Sequence, residues 1–176
     1  MSQAALEHAI GRIDALEAEV RELRDIEAIR TLRARYAEAC DKGYNANAMT
    51  ELFAPDGVWE FTHDRGTHRG HDEIHAFMTA VGKQIVWALH FMICPVVTVH
   101  SASEASGTWY ILELATMVGL DDPDEHDAVI LSGTYEDRYV KIDGEWKFKH
   151  ITVHVNQLSN LADGWVKQPL RGGRAC

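Results

Sequence analysis

The spacing of the apolar residues is helical in the first part of the chain and strand-like in its second half, and this change restricts the fold more than any other feature. From residue 3 to residue 42 there is no proline and one glycine, and apolar residues recur at steps of three and four, as in an α-helix. Residues 85–100, 107–118, 128–141 and 146–156 form long strand-like runs. Helices followed by strands indicate an α+β fold, with an antiparallel sheet wrapped around a long helix.

Shorter elements connect these parts. The pattern predicts helices over 46–53 and 71–82 and a strand over 58–61, with a turn at 55–57 and a polar stretch over 62–70. Asp143 and Gly144 predict a hairpin turn between the last two strands. A curved sheet capped by helices encloses an apolar pocket, where a ligand is expected to bind.

The first part of the long helix differs from the rest. Up to Leu23 a narrow apolar stripe runs through a highly charged background, which is typical of a helix that packs on another chain or on the flank of its own domain. A solvated helical arm is the alternative. The chain is therefore divided into a helical extension over 1–24, a core domain over 25–156 and a tail over 157–176.

Charge and composition exclude several classes of function. The chain of 176 residues has 17 basic and 27 acidic residues, a net charge of −10, so nucleic acid and anionic membranes are not expected partners. No apolar run approaches the ~20 residues of a membrane span, and no secretory signal is visible. Three widely spaced cysteines favour a reducing, cytoplasmic location. Nucleotide-binding and serine-hydrolase motifs are absent from the sequence, and no cofactor is expected.

Four segments resemble a known family. They are DIEAIRTLRARYAEACDKGYNANAMTELFAPDGVWEF at 25–61, GHDEIHAF at 70–77, ALHF at 88–91 and GTYEDRYVKIDGEWKF at 133–148. Together they resemble the SnoaL-like group of the superfamily named for nuclear transport factor two. The resemblance covers about 25–156 and implies a cone-shaped, cystatin-like α+β barrel.

The resemblance also implies a chemistry. Scytalone dehydratase, bile acid 7α-dehydratase and hexachlorocyclohexane dehydrochlorinase belong to this superfamily and are cofactor-free lyases that form trimers. Each pairs a strand histidine with an aspartate near the end of the first long helix, and His90 and Asp41 stand at those positions here. Tyr36 matches a tyrosine of the bile acid enzyme. Scytalone dehydratase has a second histidine on the next strand, where this chain has Glu113.

The residues themselves give weaker support to the same pair. Asp41 lies in the last turn of the long helix, where a carboxylate opposes the helix dipole. Such a choice against a local rule suggests function, although a solvated aspartate in a helix-stop turn is the plain alternative. His90 alternates in phase with Met92 and Cys94 on an apolar strand. It is therefore either a hydrogen-bonded core histidine or, beside a carboxylate, a general base.

Other residues are expected around the pocket. Glu113 is placed there as a candidate, although the outer face of its strand is slightly favoured, and His154 is placed inward because it shares phase with Trp146 and Phe148. The spacing of His71 and His75 suits zinc, but the HExxH motif is missing, so no metal site is expected around His63, His68, His71 and His75. The remaining candidates for substrate contact are Tyr44, Trp59, Phe61, Phe77, Met92 and Trp109.

The sequence thus predicts a cofactor-independent lyase of the dehydratase type. Its substrate would be small, mostly apolar and cyclic, polyketide- or steroid-like. His90 would remove a proton, Asp41 would orient and charge the imidazole, and Tyr36 would polarise a carbonyl. Alternatives are an isomerase with the same proton transfer, a non-catalytic β subunit of an aromatic-ring dioxygenase, and a ligand-binding protein. A homo-oligomer is expected, with a trimer favoured over a dimer.

Overall fold

The structure is a computed structural model that describes residues 2–62 and 65–172. This part of the chain contains four helices and six strands. The helices are α1 (Gln3–Asp41), α2 (Ala46–Thr50), α3 (Gly70–Gln84) and α4 (Gly164–Lys167). The strands are β1 (Phe53–Phe61), β2 (Gly66–Arg69), β3 (Ile85–Val99), β4 (Glu104–Val118), β5 (His126–Ile142) and β6 (Glu145–Asn160).

The six strands form one curved sheet in the order β2-β1-β6-β5-β4-β3. The second half of α1 packs inside the curve, mainly on β3, and α3 packs on β1. The predicted α+β architecture, with a curved sheet around a long helix, is confirmed. The sheet is not wholly antiparallel as expected, because β1 pairs with β6 in parallel. β1 thus lies between its sequence neighbour β2 and the last strand of the sheet, β6.

Helix α1 crosses from solvent into the core without a break. The Ser2 hydroxyl accepts a hydrogen bond from the Ala5 amide at 3.3 Å and caps its start. Gly43, at φ +80°, follows its end in the left-handed conformation that glycine adopts readily. The apolar stripe of its outer half is exposed, at Leu6, Ile10, Ile13, Leu16, Val20 and Leu23. The buried residues of its inner half are Ile29, Leu32, Arg33, Tyr36, Ala37, Ala39 and Cys40.

The short elements differ most from the prediction. α2 ends at Thr50, and β1 begins at Phe53 because the backbone of Leu52 already accepts a hydrogen bond from Phe148 at 2.9 Å. The predicted turn at 55–57 lies inside β1 as a register shift between Phe53 and Val58. The polar stretch contains β2, and β6 extends to Asn160.

An extra residue in β6 reverses the direction of the side chains that follow it. Tyr139 pairs with Phe148 but Arg138 pairs with His150, so Lys149 has no partner on β5. This is a β-bulge, which shifts the alternation by one residue. Trp146 and Phe148 point inward before the bulge, and Ile151 and Val153 are buried after it.

Candidate active site

A largely enclosed cavity lies between the inner face of the sheet, the last turns of α1 and helix α3. Its volume is about 40 Å³, which holds water but not a ring-sized ligand. A larger molecule therefore enters only when part of the wall moves. The cavity lining includes these residues predicted from the sequence: Tyr36, Tyr44, Trp59, Phe61, Phe77, His90 and Glu113.

Asp41 and His90 meet at one end of this cavity, although 49 positions separate them. The Asp41 Oδ1 atom accepts hydrogen bonds from the His90 backbone amide at 2.9 Å and from its ring Nδ1 at 2.8 Å. These two donors offset the unfavourable position of a carboxylate at a helix C-terminus. Because an ionised carboxylate only accepts, this contact places a hydrogen on Nδ1 and leaves the Nε2 lone pair toward the cavity.

Two further groups surround Nε2 of His90. The Tyr44 hydroxyl lies 3.2 Å from Nε2, and Glu113 Oε2 lies 3.5 Å from it. The Tyr44 hydroxyl also lies 3.4 Å from Glu113 Oε1. His90 therefore has a carboxyl group beside each ring nitrogen, and its side chain is only 3% exposed.

Tyr44 reaches this position through an unusual backbone conformation. Its φ is +52°, in the left-handed region that side-chain-bearing residues rarely adopt. Its amide bonds to the Cys40 carbonyl at 3.0 Å, directly after α1 ends. Such local strain often occurs at functional sites. Burial and then the electrostatic interaction with Glu113 raise the pKa of Tyr44 well above its usual value, so this residue remains a neutral phenol.

Tyr36 lies on the cavity wall as a second neutral phenol. Burial raises its pKa well above its usual value. The indole Nε1 of Trp59 donates a hydrogen bond to the Tyr36 hydroxyl at 2.9 Å. Because that hydroxyl accepts from Trp59, its own proton is suited to be donated to a polar group in the cavity.

Another part of the cavity wall is aromatic. The rings of Trp59 and Phe77 lie 4.4 Å apart, and those of Trp59 and Phe61 stack at 5.8 Å. Arg65 also lines the cavity, with its guanidinium 5.2 Å from the Phe61 ring. This wall suits a planar, mostly apolar molecule.

Three residues predicted around the pocket lie elsewhere. Met92 is half-buried against the core and outside the cavity lining. Trp109 points inward but lies about 13 Å along β4 from Glu113, at 3.3 Å per residue, and its indole donates to Tyr139 at 3.1 Å. His154 points outward because of the Lys149 bulge, 3.6 Å from Glu136.

Glu113 points inward, so the slight preference for the outer face was wrong. It shares phase with Trp109 and Ile111, and all three are buried. This alternation was visible in the sequence. Sequence reasoning gave no specific role to Tyr44, and it missed Arg65 and Tyr135 in the lining.

His71 and His75 bond to separate partners. His71 Nε2 lies 3.1 Å from the Phe53 carbonyl, and His75 Nε2 lies 2.9 Å from Asn47 Oδ1. His63 lies outside the described residues. Among residues 2–62 and 65–172, no group of three or more histidine, cysteine, aspartate or glutamate side chains is arranged to hold a metal ion. The helices in these ranges include none that is both long and apolar enough to span a membrane.

Comparison with known proteins assigns this chain to a family. The sequence model of the SnoaL-like domain matches residues 21–152, and the chain belongs to that family. A protein of Novosphingobium aromaticivorans, provisionally named an aromatic ring hydroxylase, is 26% identical with a TM-score of 0.70, over 80% of this chain and 96% of that one.

Two further solved structures share the fold at lower identity. A protein of Novosphingobium aromaticivorans, provisionally named a scytalone dehydratase, is 22% identical with a TM-score of 0.72, over 90% of this chain and 99% of that one. A hexachlorocyclohexane dehydrochlorinase of Novosphingobium barchaimii is 20% identical with a TM-score of 0.71, over 82% of this chain and 94% of that one.

Proposed function

We propose that this chain is a cofactor-independent lyase that removes a proton from carbon and expels a neighbouring group, as a dehydratase does. The observation that carries the proposal is the Asp41–His90 hydrogen bond at 2.8 Å inside an aromatic cavity. A solvated aspartate would not accept two bonds from a buried histidine. A histidine that served only the core would not direct its second nitrogen into a cavity.

The proposed chemistry begins at Nε2 of His90. This nitrogen takes a proton from a carbon next to a carbonyl, and the carboxylate of Asp41 stabilises the resulting imidazolium. The Tyr36 hydroxyl donates to the carbonyl oxygen as negative charge develops there. An isomerase would use the same first step and return the proton to another carbon.

The substrate class follows from the cavity wall. The aromatic rings of Trp59, Phe61 and Phe77 favour a planar, mostly apolar ring. The polyketide- or steroid-like character remains part of this proposal. A molecule of that size requires the wall to open beyond the present volume of about 40 Å³.

We also propose self-association, with a trimer favoured. The outer face of β3 and β4 carries a patch of exposed large apolar side chains in addition to the stripe on α1. A patch of this type marks a surface that binds protein. Its members are Val86, Trp87, Leu89, Phe91, Ile93, Val96, Tyr110 and Leu114. A dioxygenase α subunit would be the alternative occupant, and purification of this chain alone as a stable oligomer would argue against that alternative.

The base is tested with 5-nitrobenzisoxazole, a small bicyclic molecule whose N–O bond breaks when a base removes the proton from its activated C–H bond. His90→Ala should lower its rate of opening by at least about a hundredfold, the low end for a general base. Asp41→Asn should lower it less, because the base remains but loses its orienting charge. Equal activity of His90→Ala and wild type would contradict the proposal.

A matched control variant tests whether the loss of activity is specific to His90. His154→Ala removes a histidine from the outer face of β6, whose side chain is 39% exposed. It should open the probe at the wild-type rate. Circular dichroism of each variant should match that of the wild type.

A further inference from the structure

The Nε2 atom of His90 faces the carboxyl group of Glu113 as well as the cavity. Glu113 is 6% exposed, and its Oε2 lies 3.5 Å from Nε2. For a carboxyl oxygen and an imidazole nitrogen to attract one another, one proton must lie between them. At 3.5 Å the contact is longer than a normal hydrogen bond. A polar group of a ligand can therefore come between the two without breaking a strong bond.

We propose that Glu113 is the general acid of this site and protonates the leaving hydroxyl of the substrate. The inference rests on the proposed function. Its basis is that the base and a buried carboxyl lie side by side on one cavity wall, opposed at residues His90 and Glu113 in the β3–β4 pairing. Glu113 Oε2 and His90 Nε2 lie 3.5 Å apart. One of them can therefore reach a hydrogen on one carbon of a substrate while the other reaches a hydroxyl on the adjacent carbon.

The step balances in atoms and electrons. The C–H bond breaks and its proton goes to Nε2 of His90, while its electron pair forms the new C=C bond. The C–O bond breaks as the Glu113 carboxyl gives its proton to the departing hydroxyl, which leaves as water. The Glu113 carboxylate then takes the proton from Nε2 of the His90 imidazolium, and both groups return to their first state.

Tyr44 is a positioning residue in this scheme. Its hydroxyl lies within 3.4 Å of both Glu113 Oε1 and His90 Nε2. Because Tyr44 remains a neutral phenol, it does not act as the acid or the base. Its hydroxyl instead holds the Glu113 carboxyl and the His90 imidazole toward the same point of the cavity. Its left-handed backbone fixes that hydroxyl immediately after the helix that carries Asp41.

Two ketones that differ only in the leaving group separate the acid from the base. 4-(4-Nitrophenoxy)butan-2-one loses 4-nitrophenolate, which departs without a proton, whereas 4-hydroxybutan-2-one loses water and needs an acid. Glu113→Gln should lower elimination from the hydroxy ketone by at least about a hundredfold. It should change elimination from the ether by less than about threefold.

A second variant distinguishes an acid from a packing residue. Glu113→Asp keeps a carboxyl but fits less well, whereas Glu113→Gln keeps the shape but loses the acid. An acid role predicts that the aspartate variant retains more activity on the hydroxy ketone, and a packing role predicts the reverse order. Glu136→Gln, a glutamate on the outer face with 67% of its side chain exposed, should leave both rates unchanged.

The outcomes also separate the two proposals. Equal losses of Glu113→Gln on both ketones, or a wild type that eliminates only the ether, would overturn the role of Glu113. Elimination of the ether that does not depend on His90 would refute the proposed function itself.

Discussion

A buried ion pair behind the cavity offers the sharpest test of the packing. Arg33 and Asp137 form a salt bridge in which both side chains are 0% exposed. Burial is the largest single influence on the pKa of Arg33 and lowers it, but the charge and hydrogen bond of Asp137, together with Tyr139 and Tyr135, raise it by more, so the guanidinium remains charged. The Tyr139 hydroxyl donates to the same carboxylate at 2.6 Å. Asp137→Asn removes the charge and keeps the shape.

The expected cost follows from what remains around Arg33. Removing one partner of a buried pair costs about 3–5 kcal/mol because the other charge stays buried and unpaired. The guanidinium carbon keeps the rings of Tyr135 at 4.1 Å, Phe148 at 4.8 Å and Tyr36 at 5.0 Å. These cation–π contacts favour the lower end, about 3 kcal/mol. For a chain of this length the melting temperature should fall by about 6–12 °C.

Urea unfolding at fixed protein concentration, followed by circular dichroism, measures this change. Glu38→Gln removes an exposed partner of Lys42 and should not shift the midpoint measurably. The double variant Arg33→Met/Asp137→Leu replaces the pair by apolar groups and should be more stable than Asp137→Asn alone. A loss below about 1 kcal/mol for Asp137→Asn, or a double variant worse than the single one, would refute this reasoning.

Three more predictions concern assembly and packing. Light scattering at micromolar concentration should give a multiple of the 19.8 kDa chain mass, and a monomer would contradict self-association. Gly133→Ala should lower the free energy of unfolding by about 1–3 kcal/mol, because its Cβ would lie 2.2 Å from the His154 carbonyl oxygen. The Cβ of Gly11→Ala meets open space, and equal stabilities of the two variants would contradict this prediction. Burial raises the pKa of the Cys40 thiol, so iodoacetamide should modify exposed Cys94 first in the native protein. Comparable rates by mass spectrometry would disprove it.

The long elements were predictable because their periodicity extends over many residues. The helix over 3–42 and the four long strands match the structure within a few residues at each end. Local exceptions were not predictable. The Lys149 bulge depends on how β5 and β6 pair, and it alone turns His154 away from the core. The parallel pairing of β1 likewise depends on contacts far apart in the sequence.

The site was predictable in part. The contact of Asp41 with His90 joins residues 49 positions apart, and the family resemblance suggested it where the local pattern was ambiguous. The inward direction of Glu113 was available from the alternation of β4. Tyr44 was predicted as a pocket residue, but the contact of its hydroxyl with His90 was not, because its left-handed backbone reflects the way α1 ends against the sheet. Trp109 shows that an inward-facing side chain does not always line the cavity. Its position along β4 places it in the interior of the sheet but away from the end where the cavity lies.

The parallel pairing of β1 with β6 has a consequence for folding and for ligand entry. It joins segments about 90 residues apart, a contact whose closure costs more chain entropy than a hairpin does. β1 and the adjoining α3 therefore form the part of the sheet expected to dock last and to open first. The same segment carries Trp59, Phe61 and Phe77, the wall that must yield to a ring-sized molecule. Amide hydrogen exchange should accordingly be faster in β1 than in β4 and β5. A ligand would enter the cavity when β1 and α3 partly undock, which reverses part of the final folding step.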